Sequence, residues 1–198
     1  MRTTPIPNTS LAPSELCMGT ADLGGAVDRQ TSYTLLDAFR ARGGTFIDTA
    51  KVYSDWIPGE RSRSEKLLGA WLKERGCRAE MILATKGAHF DLSTPHIPRL
   101  APSDITADLE SSLTNLQTDW IDLYWLHRDD PARPVGEILE TLQAQVRAGK
   151  IRCYGASNWG AARLEEAQAY AARHALDGFA AVQNLWNLAH IERGAVAD

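Results

Sequence analysis

Short apolar runs alternate with stretches of helical periodicity along most of this sequence. The apolar runs predict β-strands at residues 16–18, 45–48, 81–85, 121–126, 151–156 and 179–182. Between them, apolar residues recur at helical spacing and predict α-helices at 31–42, 64–75, 103–116, 135–148 and 161–174, with Ser103 as the N-cap of the third. The pattern therefore predicts a regular β/α succession.

The strands of this pattern lack a clear alternation of apolar and polar residues, which is typical of strands buried on both faces. Their separation by helices indicates parallel pairing through right-handed crossovers. A doubly wound sheet would share the pattern, but its dinucleotide site needs a GxGxxG turn, and residues 19–24 read GTADLG. We therefore expect a parallel (β/α)8 barrel that forms a single domain over residues 1–198.

The pattern supplies only part of such a barrel. A complete one has eight strands and usually about 250 residues, whereas this sequence has 198 residues and predicts six strands and five helices. Residues 191–198 read as a connection toward a sixth helix. We therefore expect a truncated barrel, a portion of a longer enzyme, whose first and last strands would be unpaired and which would be unstable alone.

Composition and charge narrow the class of protein. A charged fraction of 23% and a formal net charge of −4 are ordinary for a globular protein and disfavour nucleic-acid binding. The odd number of cysteines, Cys17, Cys77 and Cys153, and their wide spacing indicate reduced thiols. No stretch approaches the roughly 18 apolar residues of a membrane span. We expect a cytoplasmic protein without membrane contact, and its oligomeric state stays open.

Ionisable residues end three successive apolar runs. These residues are Asp48, Lys86 and His127, and Tyr53 lies on the loop just beyond Asp48. In a β/α barrel the carboxyl ends of the strands form the catalytic face. Each residue alone has a plain structural interpretation, as a loop cap, a solvated end, a rim residue or a satisfied histidine. Together, at successive strand ends, they favour an active site.

These four side chains suit the reduction of a carbonyl group. A carbonyl that accepts hydride develops negative charge on its oxygen and needs a proton donor there. Tyr53 is the candidate acid, and the ammonium group of Lys86 would favour its phenolate form. Asp48 would hold Lys86 charged and oriented. His127 would donate a hydrogen bond to the substrate carbonyl.

Several segments carry a family resemblance. They are FIDTAKVY at 46–53, ILATKG at 82–87, DWIDLYWLH at 119–127, GKIRCYGASN at 149–158 and the pair Gln183-Asn184. In this order they resemble the aldo/keto reductases, NADPH-dependent enzymes built on a β/α barrel. The resemblance implies that Asp48, Tyr53, Lys86 and His127 form the catalytic tetrad and that NADPH is the cofactor.

The same resemblance implies that Ser157, Asn158 and Gln183 hold the nicotinamide carboxamide, and that no metal is used. The spacing of the other histidines agrees, since it contains no HExxH pattern. The leading hypothesis is thus NADPH-dependent reduction of an aldehyde, ketone or sugar-like substrate, or the reverse oxidation. An inert barrel fragment or a cofactor- or partner-binding subunit is the alternative. The ligand pattern disfavours a metal-dependent hydrolase.

Residues 54–63 depart from the family pattern, because they are longer than the usual link before the Ser-Glu start of the next helix. Trp56 in this segment is predicted to lie over the active-site mouth. With Trp125 and Trp159 it would form an aromatic wall for the substrate, although aromatic residues at such positions are also common in simple packing. The two interpretations are balanced for Trp56, and the pocket is favoured for Trp159, which directly follows Asn158.

Overall fold

The computed structural model describes residues 1–186 and contains, within them, the predicted β/α succession. The elements are β1 (Cys17–Gly19), α1 (Arg29–Ala41), β2 (Phe46–Asp48), α2 (Arg63–Arg75), a 3₁₀ turn (Arg78–Glu80), β3 (Ile82–Gly87), α3 (Pro102–Leu116), β4 (Ile121–Leu126), α4 (Val135–Arg147), β5 (Ile151–Ser157), α5 (Ala161–His174) and β6 (Val182–Gln183). The predicted connection at 191–198 lies outside the described residues.

The strands form one parallel sheet in sequence order. In the described part of the chain the order is β1-β2-β3-β4-β5-β6, so each strand pairs with the next one after a helical crossover. The sheet curls into a half-barrel with five helices packed outside it. This arrangement confirms the predicted fold class, a (β/α)8 barrel represented by six strands and five helices over residues 1–186. The single domain over 1–198 stays a prediction.

The two faces of the sheet carry separate hydrophobic clusters, because successive side chains of a strand point to opposite faces. The larger cluster fills the layer between strands and helices and includes Ile47, Leu83 and Tyr124. The smaller cluster lies on the concave face and includes Ala84, Trp125 and other side chains. The inward-facing positions that follow these residues along the strands are therefore the ones that reach the barrel mouth.

The N-terminal segment covers one end of the concave face. It folds back on itself through backbone hydrogen bonds from Thr4 to Pro13 and from Ile6 to Leu11, both 2.9 Å long. Leu11 is buried in the concave cluster together with Phe46, the first residue of β2. The segment thus closes the amino ends of the strands and leaves the carboxyl ends open.

Some element boundaries differ from the sequence predictions. Ser103 is not the N-cap of α3, since Pro102 occupies the first turn and Ala101 is the cap residue. Proline suits that position because the first helical N–H groups have no partner within the helix. Helix α2 begins one residue earlier than predicted. Strand β6 is shifted to Val182–Gln183, and Phe179 packs in the outer cluster instead.

Among residues 1–186, every helix is too short or too polar to traverse a lipid bilayer.

Candidate functional site

The strand-end residues predicted to form a site lie at one end of the concave face. Asp48 is the last residue of β2, Lys86 lies near the end of β3, and His127 follows β4 directly. The backbone N–H of His127 donates to the carbonyl of Gly87 at 2.9 Å, which extends the pairing of β3 and β4 past the strand ends. The parallel register therefore brings these three side chains to the same mouth.

Lys86 is the centre of this group. Its ammonium donates to the carboxylate of Asp48 in a short ion pair, to the carbonyl of Thr49 at 3.0 Å and to the hydroxyl of Tyr53 at 2.9 Å. Lys86 is 2% exposed and Asp48 6% exposed. Charges so far from water are tolerated only when they are paired and hydrogen-bonded. The three polar contacts meet that need and fix the ammonium against the Tyr53 hydroxyl.

His127 is the fourth member of this group and lies next to Tyr53. The two ring centroids lie 6.0 Å apart with an interplanar angle of 80°. Burial, followed by the neighbouring His89, Lys86 and Arg128, lowers the pKa of His127 to about 2. Its imidazole is therefore neutral near pH 7. Within the described residues, its Nδ1 atom is buried and has no hydrogen-bond partner.

A cluster of buried hydroxyl groups supports the site from behind. Ser64, the second residue of α2, contacts the hydroxyl of Thr49 at 2.9 Å and the carbonyl and hydroxyl of Thr20, both at 2.8 Å. Thr20 donates in turn to the carbonyl of Asp48 at 3.1 Å. These bonds tie the start of α2 to the ends of β1 and β2. Sequence reasoning assigned Ser64 only to a helix start and did not find this cluster.

The three predicted cofactor residues also lie together. Ser157 and Gln183 are register partners at the ends of β5 and β6. Asn158, at φ 61°, donates through its side-chain amide to Ser157 at 3.0 Å and to the carbonyl of His127 at 3.3 Å. Hydroxyl and amide groups offer both donors and acceptors, which is what a carboxamide requires. The residues present therefore fit a nicotinamide carboxamide beside His127.

The three predicted pocket tryptophans occupy different environments. Trp56 is 51% exposed, and its ring centroid lies 6.4 Å from that of Tyr53. Trp125 is buried on the concave face, one inward position before His127. Trp159 is buried in the outer cluster against Phe179, with centroids 5.0 Å apart. The structure thus brings Trp56 and Trp125 near the tetrad and Trp159 into the outer core, and their substrate contacts stay predictions.

His89 is a further candidate residue of the functional site, and the sequence analysis did not single it out. Its ring centroid lies 4.6 Å from that of His127, and its Nδ1 atom lies 2.8 Å from the carbonyl oxygen of Phe90. A carbonyl only accepts, so Nδ1 carries the proton of the neutral ring. Its position on the loop just after β3 was the sequence feature that could have indicated a place at the barrel mouth. Residues 1–186 contain no group of three or more His, Cys, Asp or Glu side chains arranged for a metal ion.

Comparison with known proteins gives consistent matches. The chain is 33% identical over 201 residues to the uncharacterized oxidoreductase YrpG of Bacillus subtilis, covering 98% of this chain and 60% of that protein. It is 36% identical over 181 residues to the aldo-keto reductase YhdN of the same organism, covering 89% and 53%. It is 30% identical over 200 residues to the NADP(+) aryl-alcohol dehydrogenase of Phanerodontia chrysosporium, covering 92% and 50%.

The chain thus spans between half and three fifths of the length of these relatives. A sequence model of the aldo/keto reductase family matches residues 15–197, which include all of the predicted tetrad and cofactor positions. Because this match extends over most of the sequence, the chain belongs to the aldo/keto reductase family.

Proposed function

We propose that this chain carries the catalytic residues for NADPH-dependent reduction of an aldehyde or ketone, with Tyr53 as the general acid. Sugar-like carbonyl compounds are included, as is the reverse oxidation of an alcohol. The observation that carries the proposal is the contact of the Lys86 ammonium with both the Asp48 carboxylate and the Tyr53 hydroxyl, the latter at 2.9 Å. This arrangement suits a tyrosine that must release a proton.

Tyr53 would donate its hydroxyl proton to the carbonyl oxygen as negative charge develops there. The phenolate that remains would face the ammonium of Lys86, which already contacts the hydroxyl oxygen. Because the Lys86 side chain is buried, this attraction is stronger than in bulk solvent. Asp48 keeps the ammonium in place through its ion pair. The four residues supply the proton and the charge stabilisation, so the proposal requires no metal ion.

His127 would hold the carbonyl oxygen through a hydrogen bond. The neutral ring has one N–H, and the buried Nδ1 atom contacts no acceptor among the described residues. The proton is therefore better placed on Nε2, where a substrate oxygen can accept it. Tyr53 and His127 would then approach the same oxygen from two sides, which fixes the orientation of the substrate.

The nicotinamide ring of NADPH would supply the hydride. Ser157, Asn158 and Gln183 would bind its carboxamide and so fix the ring face presented to the substrate. The contact from Asn158 to the carbonyl of His127 supports this placement because it links the proposed cofactor site to the tetrad. One relative, the NADP(+) aryl-alcohol dehydrogenase of Phanerodontia chrysosporium, supports NADPH over NADH. Three unpaired cysteines support a cytoplasmic location.

The alternative is a chain that binds the cofactor or a partner without turnover. Replacing Tyr53 with phenylalanine separates the two functions. We expect aldehyde reduction to fall by about 10²–10⁴-fold, the usual contribution of a general acid, while the Kd for NADPH, followed by tryptophan fluorescence, stays unchanged. Tyr33→Phe is the matched control, since Tyr33 lies on α1 away from the site. Equal activity of Tyr53→Phe and wild type would refute the assignment, and binding without any reduction by wild type would support the alternative.

A further inference from the structure

A cavity lies beside the predicted tetrad, on the outer side of the strand ends. It has a volume of about 300 Å³ and is formed by the loops that follow β2 and β3 together with the facing sides of α2 and α3. Neither Tyr53 nor His127 lines it, but Lys86 and His89 do. The cavity therefore shares a wall with the proposed active site and is distinct from it.

Two cations meet at this cavity around one carboxylate. Lys51 and Arg99 both donate to Oδ1 of Asp108, at 2.5 and 3.0 Å, and Arg99 also reaches Oδ2 at 3.2 Å. The backbone N–H of Ala88 completes the coordination of Oδ2 at 2.9 Å. A single negative charge thus faces two positive ones, and its hydrogen-bonding capacity is already filled.

The negative charge of this cluster is buried more deeply than the two positive charges. The side chain of Asp108 is 2% exposed, whereas those of Lys51 and Arg99 are 30% and 28% exposed. Asp108 therefore holds both cations from the buried side, and the Lys51 ammonium, with Asp108 as its one acceptor among the described residues, has N–H groups left to bind an anion. Arg99 has two further contacts, one of 3.3 Å to the carbonyl of His89 and a long one of 3.5 Å to Asp104.

The lining as a whole carries a positive formal charge, because its charged side chains are five cations and three carboxylates: Lys51, Arg61, Lys66, Lys86 and Arg99 against Asp55, Asp91 and Asp108. Asp55 accepts the backbone N–H of Ser62 at 2.6 Å, and Asp91 contacts Arg61 at 3.3 Å. Lys66 pairs with Glu60 at the surface. Exposed pairs such as these contribute only about 0–1 kcal/mol, so an incoming anion can compete for Arg61 and Lys66. The polar side chains of Ser111 and Asn115 complete the wall.

We propose that this cavity is an oxyanion-binding site, in which Lys51 and Arg99 hold the carboxylate or phosphate group of a small molecule. Guanidinium and ammonium groups bind such oxygens through strong charge-assisted hydrogen bonds. The anion is either free phosphate or an acidic substituent of the carbonyl substrate. The second source rests on the proposed function, because the substituent would then position the carbonyl group toward Tyr53.

Calorimetric titration of the 198-residue chain with inorganic phosphate at low ionic strength tests the site without any turnover. We expect saturable binding of one phosphate. Loss of a charged hydrogen bond predicts that Lys51→Met weakens it by about tenfold or more. Lys51→Arg keeps the charge and should retain most of the affinity. Lys73→Met, which removes an exposed charge from the far end of α2, is the matched control and should bind as wild type.

Two results would overturn the site. One is the absence of saturable phosphate binding by wild type, and the other is unchanged binding by Lys51→Met. Should Lys51→Met not fold, as judged by circular dichroism, Arg61→Gln replaces it. Arg61 is 69% exposed, so this change leaves the core intact and should still weaken phosphate binding. Equal affinity of that variant and wild type would then count against the site.

A kinetic arm distinguishes the two sources of the anion. With NADPH present, 4-carboxybenzaldehyde is compared with benzaldehyde. If the substrate supplies the anion, Lys51→Met raises KM for the carboxylated aldehyde and leaves KM for benzaldehyde unchanged. If KM for both aldehydes is unaffected while phosphate binding is lost, the site takes a free anion. Phosphate binding through Lys51 by a chain that reduces no aldehyde would contradict the proposed function and uphold the site.

Discussion

Replacing Lys86 with methionine removes the ammonium group that joins Asp48 to Tyr53. Methionine has a similar length but leaves the Asp48 carboxylate, 6% exposed, without its ion-pair partner. The second oxygen of that carboxylate, Oδ1, already has no hydrogen-bond partner among the described residues. Breaking a buried ion pair from one side destabilises a protein by about 3–5 kcal/mol. We expect the free energy of unfolding of Lys86→Met to fall by this amount.

A second substitution tests the cause of that loss. Adding Asp48→Asn to Lys86→Met removes the stranded charge and should restore about 2 kcal/mol or more, since an uncharged amide is far less costly to bury. The assay is urea unfolding followed by circular dichroism, with the free energy extrapolated to water. Lys73→Met serves as the surface control and should change stability by less than about 0.5 kcal/mol.

Either of two outcomes would refute this account of the pair. One is a loss below about 1 kcal/mol in Lys86→Met, the value typical of exposed pairs. The other is a double variant that is no more stable than the single one. Both would mean that the Asp48 carboxylate is better solvated than its burial indicates.

Two further predictions concern residues around the tetrad. A Cβ atom added at Gly87 would lie 1.9 Å from the hydroxyl of Tyr124, so Gly87→Ala should lower stability by about 1–3 kcal/mol in urea unfolding. Tyr124→Phe removes that hydroxyl and should recover part of the loss; no recovery would contradict the steric explanation. His127 has a pKa of about 2 in the folded chain, against about 6.5 when unfolded, so only the unfolded chain takes up this proton between those values. Stability should therefore fall below about pH 6.5, by up to about 1.4 kcal/mol per pH unit. His127→Gln should flatten this part of the unfolding profile, and parallel profiles would exclude His127 as its source.

The order of strands and the convergence of polar side chains at one end of the sheet could be predicted from the sequence because both depend on local patterns. Apolar runs separated by helical periodicity determine the parallel order, and the last polar residue of each run determines what lies at the mouth. Asp48, Lys86 and His127 are found this way without knowledge of any distance. The first residue of α3 is harder to predict from the sequence, because Pro102 and Ser103 both favour helix starts but at different positions.

The remaining site features depend on backbone paths that local patterns do not determine. Trp159 follows Asn158, whose positive φ of 61° breaks the strand alternation and turns the next side chain toward the outer cluster. His89 reaches His127 only through the course of the loop after β3. Asp108 lies on α3 and meets Lys51 across 57 residues of sequence. Such long-range contacts require the folded structure.

The function that we propose for this chain is reduction of a carbonyl group by Tyr53 and its neighbours, with hydride from NADPH. The most direct measurement is isotope transfer, in which the chain is incubated with NADPH carrying deuterium at the transferable position of the nicotinamide ring, together with benzaldehyde. We expect wild type to form benzyl alcohol with one deuterium on the former carbonyl carbon, and Tyr53→Phe to lose this product. Unlabelled alcohol, or saturable NADPH binding with no alcohol formed, would contradict the proposal.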